Sequence, residues 1–100
     1  METSIGFPLK IIITESFKKD FNDFIKGNAQ LEKKLKRNID QLKNGRTNPG
    51  MNLEKIQGFE KIKGLKSVRL NNEMRFSVII SDKLFLLRIN HHADLYRNPY

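Results

Sequence analysis

The chain has 100 residues, of which 38% are hydrophobic and 30% charged, and its formal net charge is +8. This composition is too apolar for a disordered tail, and no apolar run approaches the roughly 20 residues of a membrane-spanning helix. The lack of cysteine excludes disulfide bonds and thiolate metal sites. We therefore expect one domain over residues 1–100, located in the cytoplasm, whose positive charge suits RNA, DNA, a ribosome or an acidic protein.

The first half of the chain predicts one strand and two helices. Residues 8–14 are rich in β-branched side chains, as in a strand, and Thr14 can cap the helix that follows. A first apolar stripe at helical spacing comprises Phe17, Phe21, Phe24 and Ile25. After a break at 27–28, with Asn28 as a cap, a second stripe comprises Leu31, Leu35, Ile39 and Leu42. The back of this second helix is basic, which usually indicates only a solvated face: Lys33, Lys34, Lys36, Arg37 and Lys43.

The second half predicts a long connection followed by three strands. Residues 45–64 lack periodicity and contain four of the six glycines, which indicates a surface connection pinned by Leu53 and Ile56. The strands then follow in quick succession, at 65–71, 73–81 and 83–91. The order β-α-α-β-β-β predicts an α+β fold in which two helices pack on one face of an antiparallel sheet.

Side chains alternate across a strand, so each predicted strand has two faces. The apolar set is expected to face the helices, and it comprises Val68, Leu70, Met74, Phe76, Val78, Ile80, Phe85, Leu87, Ile89 and His91. The opposite, uncovered face gathers Arg69, Arg75, Arg88, Asn90 and His92. Converging arginines repel one another, and their planar donors suit phosphate. The alternative is that they only solvate this face or pair with local acids such as Glu73.

The two histidines are neighbours, and neighbouring strand residues point to opposite faces. His91 and His92 therefore cannot readily bind one metal ion together, and the sequence holds no other histidine or cysteine to complete such a site. We expect no metal and no cofactor. His91 is expected to be a buried, hydrogen-bonded structural histidine. His92 is expected beside the arginines, where an imidazole can exchange protons near neutral pH.

Three segments resemble the RelE/ParE superfamily of bacterial toxin–antitoxin modules. They are NPGMNLEKIQG (48–58), SVRLNNEMRFSVI (67–79) and LLRINHHADLY (86–96). The last is similar to a RelE-like branch whose terminal strand reads His-His before a tyrosine. The resemblance covers residues 10–97 and implies the same fold, with a short C-terminal helix that holds Tyr96. The chain departs from the superfamily at Met74, where the family has tyrosine, and at His92, where better-known members have arginine.

The resemblance implies a toxin of a type II toxin–antitoxin system but leaves its activity open. RelE-type members cut mRNA on the ribosome, ParE-type members poison DNA gyrase, and some RelE-like domains have no established activity. An mRNA endoribonuclease is the leading interpretation, and a gyrase poison or an inactive binding module are the alternatives. The expected partners are the ribosome with its mRNA, or gyrase, and an acidic antitoxin segment that folds on binding to a groove beside the two helices.

Cleavage of the RelE type is a metal-independent attack of a ribose 2′-hydroxyl on the next phosphate. It needs charge stabilisation, a proton acceptor and a proton donor. Arg75 matches the superfamily's strand arginine, and His92 is a candidate acid or base. Tyr96 can stack on a base or donate a proton, and Glu54 aligns with a glutamate that serves as base in some members.

Three further basic residues are candidates for binding the phosphates of RNA. Arg69 and Arg88 share the predicted open face with Arg75. Lys66 is adjacent in sequence but has the opposite strand parity, so it joins them only if the strand bulges.

Overall fold

A computed structural model describes residues 7–100 as a four-stranded sheet with three α-helices. The elements are β1 (Lys10–Ile13), α1 (Glu15–Asp20), α2 (Ala29–Lys43), β2 (Leu65–Arg69), β3 (Met74–Ile80), β4 (Lys83–His91) and α3 (His92–Arg97). A π-helical turn, Phe21–Ile25, extends α1, and a 3₁₀ turn, Pro49–Met51, lies in the connection before β2. The predicted α+β order and the C-terminal helix are confirmed. None of the helices in the described range is long and apolar enough to cross a membrane.

The strand order across the sheet is β1-β4-β3-β2. β2, β3 and β4 are antiparallel neighbours, as predicted. β1 instead joins the edge parallel to β4, so the sheet is mixed. The reason is topological, because α1 and α2 carry the chain from β1 across one face to β2 at the far edge, and the two hairpin turns then bring β4 back beside β1.

The helices begin where the sequence predicts. The side-chain oxygen of Thr14 accepts a hydrogen bond from the backbone N–H of Phe17 at 3.1 Å, and Asn28 does the same for Leu31 at 3.1 Å. These bonds satisfy amide groups that a helix N-terminus leaves without partners. The π-helical turn adds a residue to the helical period, and Phe24, although part of the predicted stripe, is 37% exposed.

A β-bulge in β4 changes which residues face the helices. Val78 pairs with Leu86, but the preceding Ser77 pairs with Arg88, so Leu87 is an extra residue. Before the bulge, Leu84 and Leu86 belong to the main core. The prediction that Phe85 and Leu87 face the helices is therefore wrong, and both belong to a second cluster. After the bulge the predicted parity returns, and Ile89 is fully buried in the main core.

The face of the sheet that was predicted to be open is largely covered. The connection before β2 folds over it and forms the second apolar cluster with Leu65, Leu87 and Tyr96, through Ile56, Phe59 and Ile62. Backbone hydrogen bonds in both directions between Glu54 and Ser67 attach the connection to β2. Ser67 and Ser77, which share this face, are fully buried. The end of the face that carries Arg69 remains accessible.

Thr14, the N-cap of α1, and Asp20 within α1 supply hydrogen-bond partners to the backbone of β4 beyond the end of β1. β1 pairs with β4 only as far as Leu86, so the next backbone groups of β4 have no strand on that side. The hydroxyl of Thr14 is within hydrogen-bonding distance of the carbonyls of Leu86 and Leu87. The carboxylate of Asp20, only 2% exposed, accepts from the N–H of Ile89 at 2.9 Å. It also accepts from Arg88 Nε at 2.7 Å and Nη2 at 3.2 Å.

We expect Asp20→Ala to destabilise the fold by about 2–4 kcal/mol, because it leaves the Ile89 N–H and the Arg88 guanidinium without their partner. Asp23→Ala is the matched control, since Asp23 forms only an exposed pair with Lys19 and its loss should barely change the free energy of unfolding. Urea denaturation of both variants measures the difference. Equal midpoints would show that the edge of β4 does not depend on Asp20.

Candidate functional site

A polar cleft of about 340 Å³ lies at the accessible end of the covered face. The turn between β2 and β3, the connection and the first residue of α3 form its wall. We call it the arginine cleft, and its lining residues are Asn52, Arg69, Asn71, Asn72, Arg75 and His92. The expectation that Arg69, Arg75 and His92 lie together is met in this cleft.

Arg75 forms the floor of the arginine cleft and is only 5% exposed. Its Nε donates to the hydroxyl of Ser67, and its Nη2 donates to the carbonyls of Asn52 at 2.6 Å and Ser67 at 3.2 Å. Glu54 Oε1 lies 3.8 Å from Nη2. A buried charge is tolerated only with such partners. The expectation of a solvent-facing Arg75 is therefore wrong, because the connection folds over it and uses its donors.

Arg69 stands directly opposite Arg75 across the β2–β3 pair. Its Nε donates to the carbonyl of Asn71 at 3.3 Å, and its Nη2 donates to the side-chain oxygen of Asn72. Among residues 7–100, no carboxylate forms an ion pair with Arg69. Like charges directly opposite on a sheet destabilise it, so an anion bound between the two guanidinium groups would relieve their repulsion.

Tyr96 and Glu54 meet at the side of the cleft. The Tyr96 hydroxyl donates a hydrogen bond to Glu54 Oε1. This bond links α3 to the segment between α2 and β2. Partial burial and this hydrogen bond raise the pKa of Tyr96 above its ordinary value. Tyr96 is therefore neutral at physiological pH and can act there as a proton donor but not as a base.

His92 and His91 occupy different environments, but neither is buried. The ring of His92 lies over that of Tyr96, with centroids 4.3 Å apart and planes inclined by 39°. The ring of His91 meets Phe24 edge-on at 6.0 Å on the helix side. The side chain of His91 makes no hydrogen bond in the part of the chain that the structure describes, and the residue is exposed. The expectation of a buried structural His91 is wrong, because β4 ends there at an uncovered corner.

Two predicted phosphate-binding residues lie elsewhere. Arg88 follows the bulge, and its guanidinium is held by Asp20 of α1 rather than standing beside Arg69 and Arg75. The β2–β3 register is continuous from Leu65 to Arg69, so β2 has no bulge that could turn Lys66 to the face of Arg75. Neither Arg88 nor Lys66 lines the arginine cleft.

The residues that hold Arg75 in place were not predicted from the sequence. Asn52 adopts a left-handed backbone conformation with φ 39°, which directs its carbonyl to Arg75. Asparagine tolerates this conformation, so an asparagine directly after Pro49-Gly50-Met51 is a sequence signal for a left-handed turn residue. Ser67 lies two residues before Arg69, so strand alternation places both on one face, but nothing in the sequence indicates its role. In residues 7–100 no group of three or more histidine, aspartate or glutamate side chains could hold a metal ion.

The fold matches solved structures of bacterial toxins. The YoeB dimer from Staphylococcus aureus is 21% identical over 85% of this chain and 98% of that chain, with a TM-score of 0.70. The YoeB/ParE toxin from Agrobacterium tumefaciens is 22% identical over 84% of this chain and 99% of that chain, with a TM-score of 0.67. The Escherichia coli DinJ–YafQ toxin–antitoxin complex contains a chain 18% identical over 89% of this chain and 98% of that chain, with a TM-score of 0.67.

No family model and no curated protein sequence matches the chain. The structural similarity confirms the fold that the resemblance to the RelE/ParE superfamily implies.

We expect Tyr96 to ionise above the value of about 10 that is usual for tyrosine. The chain has two tyrosines and no tryptophan, so subtracting the ultraviolet titration of Tyr96→Phe from that of the wild type isolates Tyr96. Glu54→Gln should lower this pKa, because the carboxylate that accepts from the hydroxyl is lost. Glu60→Gln, which removes an exposed carboxylate of the same connection, should leave it unchanged. A Tyr96 that titrates at or below the usual value would contradict the assigned hydrogen bond.

Proposed function

We propose that this protein is the toxin of a type II toxin–antitoxin system and that it cleaves mRNA on the ribosome without a metal ion. The observation that supports this most directly is the meeting of Glu54, Arg75, His92 and Tyr96 beside one cationic cleft. These side chains come from the connection, β3 and α3, and together they supply the charge and the proton-transfer groups that phosphodiester cleavage requires.

In the proposed reaction, a ribose 2′-oxygen forms a bond to the adjacent phosphorus atom while the bond from phosphorus to the 5′-oxygen breaks. The products are a 2′,3′-cyclic phosphate and a free 5′-hydroxyl. Negative charge grows on the phosphoryl oxygens in the transition state, and Arg69 at the wall of the cleft is placed to contact them. Arg75 contributes mainly through its field, because most of its donors are already directed at Ser67 and Asn52.

The proton transfers are assigned to the groups beside the arginines. Glu54 accepts the proton of the 2′-hydroxyl, and its position is fixed by Tyr96 and by the charge of Arg75. The exposed imidazole of His92, in its protonated form, donates to the departing 5′-oxygen. The neighbouring rings of His92 and Tyr96 also offer an aromatic surface against which an unstacked base can pack.

The proposed function includes an antitoxin as partner. The similar structures include complexes of this kind, YoeB–YefM from Staphylococcus aureus and DinJ–YafQ from Escherichia coli. In this chain an apolar groove of about 440 Å³ lies between β1, α1 with its π-helical turn, and α2. Its floor includes Ile13, 47% exposed, and its rim carries Lys18 and Lys36. An amphipathic segment with acidic flanks fits this groove.

A translation assay decides between the ribonuclease and a gyrase poison. We expect the purified protein to cut mRNA in a reconstituted translation reaction, at positions mapped by primer extension, and to leave the same mRNA intact without ribosomes. Supercoiling by DNA gyrase should be unaffected at the same protein concentration. Intact mRNA together with inhibited supercoiling would overturn the proposal in favour of a gyrase poison, and inactivity in both assays would indicate binding without catalysis.

The neighbouring histidines provide a matched pair for testing the assigned chemistry. We expect His92→Ala to lower the cleavage rate by about 10²-fold or more, because it removes a proton-transfer group. His91→Ala should cleave at the wild-type rate, since His91 contacts Phe24 on the other side of the sheet. Both residues are exposed, so both variants should unfold within about 0.5 kcal/mol of the wild type. Cleavage at the wild-type rate by both variants would exclude histidine from the chemistry.

A further inference from the structure

A second cationic groove, of about 710 Å³, lies beside the arginine cleft on the N-terminal half of α2. We call it the α2 groove, and its polar lining residues are Asn28, Gln30, Lys33, Lys34, Arg37 and Asn71. The sequence indicated a basic back to this helix but gave no reason to treat it as more than a solvated face. The structure shows that part of it is the wall of a concavity.

The basic residues of α2 divide into two groups by their partners. Lys36 pairs with Glu32 at 3.1 Å, and Lys43 lies 4.0 Å from Asp40. The three that line the groove form no ion pair within residues 7–100: Lys33, Lys34 and Arg37. Arg37 lies four residues after Lys33 and three residues after Lys34, so it is a neighbour of both on the helix surface, where like charges are mutually destabilising. The N-terminus of α2, which is the positive end of the helix dipole, lies at the end of the groove that Asn28 lines.

The α2 groove and the arginine cleft are continuous through the turn between β2 and β3, because Asn71 lines both. This turn is rigidly built. The side-chain oxygen of Asn71 accepts from the N–H groups of Glu73 at 2.8 Å and Met74 at 2.7 Å. Asn38 of α2 donates to the carbonyl of Arg69 at 3.3 Å and so attaches the helix to the strand. The two cationic surfaces are therefore held in a fixed relation.

We propose that the α2 groove binds the phosphate backbone of the RNA strand on one side of the phosphate that is cut. A single strand would run along α2, cross the Asn71–Asn72 turn and enter the arginine cleft. This inference rests on the proposed function in taking RNA as the ligand. Continuity with the cleft favours RNA over an acidic protein segment. Most side chains that line the apolar groove beside β1 are hydrophobic, whereas the hydrophobic side chains that line the α2 groove are Leu31 and Leu70.

The test measures binding rather than cleavage. The probe is a short fluorescein-labelled single-stranded RNA that carries 2′-O-methyl groups throughout, which removes the attacking hydroxyl, and fluorescence anisotropy reports its Kd over a range of salt concentrations. The variant is the triple substitution K33Q/K34Q/R37Q. The control is K19Q/K43Q/K83Q, which removes the same number of positive charges from residues that have ion-pair partners and line none of the grooves described above. Far-UV circular dichroism checks that both remain folded.

At a salt concentration of about 0.1 M, we expect K33Q/K34Q/R37Q to weaken RNA binding by about 10-fold or more. The plot of the logarithm of the association constant against log salt should become less steep by roughly 2, as expected for three lost phosphate contacts. The control should change Kd by less than about 3-fold, as expected when only long-range charge is lost. Equal losses in the two triple variants would overturn the inference, because net charge alone would then account for binding. Failure of the wild type to bind the RNA would also overturn it.

A binding measurement with an acidic peptide tests whether the α2 groove binds a protein partner instead of RNA. If K33Q/K34Q/R37Q keeps its affinity for RNA but loses affinity for a labelled oligoglutamate peptide, the groove serves a protein partner and the inference is wrong. The outcome is also distinguishable from failure of the proposed function. A protein that shows the expected RNA-binding pattern but does not cut mRNA on ribosomes would retain the inferred groove and lose only the assigned catalysis.

Discussion

The burial of the Arg75 guanidinium is the interaction on which the site depends. A charge that is 5% exposed requires partners, and Ser67 and Asn52 provide them from β2 and from the connection. Satisfying Arg75 therefore fixes the connection against the sheet, which in turn places Glu54 within reach of Tyr96. Without the arginine, the fully buried hydroxyl of Ser67 would lose the donor from which it accepts a hydrogen bond. The same group thus holds the fold locally and supplies the positive field of the cleft.

The local features of the chain could be predicted from the sequence, and the non-local ones could not. The caps at Thr14 and Asn28 depend on residues three positions apart, and both were predicted. The sidedness of β4 depends on a single extra residue, Leu87, and a shift of one position exchanges the two faces of a strand. Leu84 to Leu87 are all apolar, so the alternation carries no information there. The coverage of the second face depends on the path of the connection, which no periodicity encodes.

The arginines illustrate the same limit at the site. Arg69 and Arg75 were predicted to share a face because the β2–β3 hairpin is regular, and they are directly opposite one another. Arg88 follows the bulge, where a carboxylate buried on α1 lies within reach, and a buried carboxylate requires its charge to be balanced. Parity alone could not reveal Asp20, which is 68 residues away along the chain. The histidines were separated correctly into two sides, but the depth of His91 depends on where β4 ends.

The placement of the acids explains why the positive charge is uneven. Most carboxylates on the helices pair with a lysine three or four residues away, as in the pairs of Lys18, Lys19 and Lys36. Within residues 7–100, Glu54, at 3.8 Å from Arg75, is the only carboxylate that forms an ion pair with a basic residue of the arginine cleft or the α2 groove. Concentrated like charge opposes folding, and a domain of this size has only about 5–15 kcal/mol of net stability. Such a cost is offset when a polyanion binds and releases its counterions. The unneutralised surface is therefore complementary to an extended anionic strand.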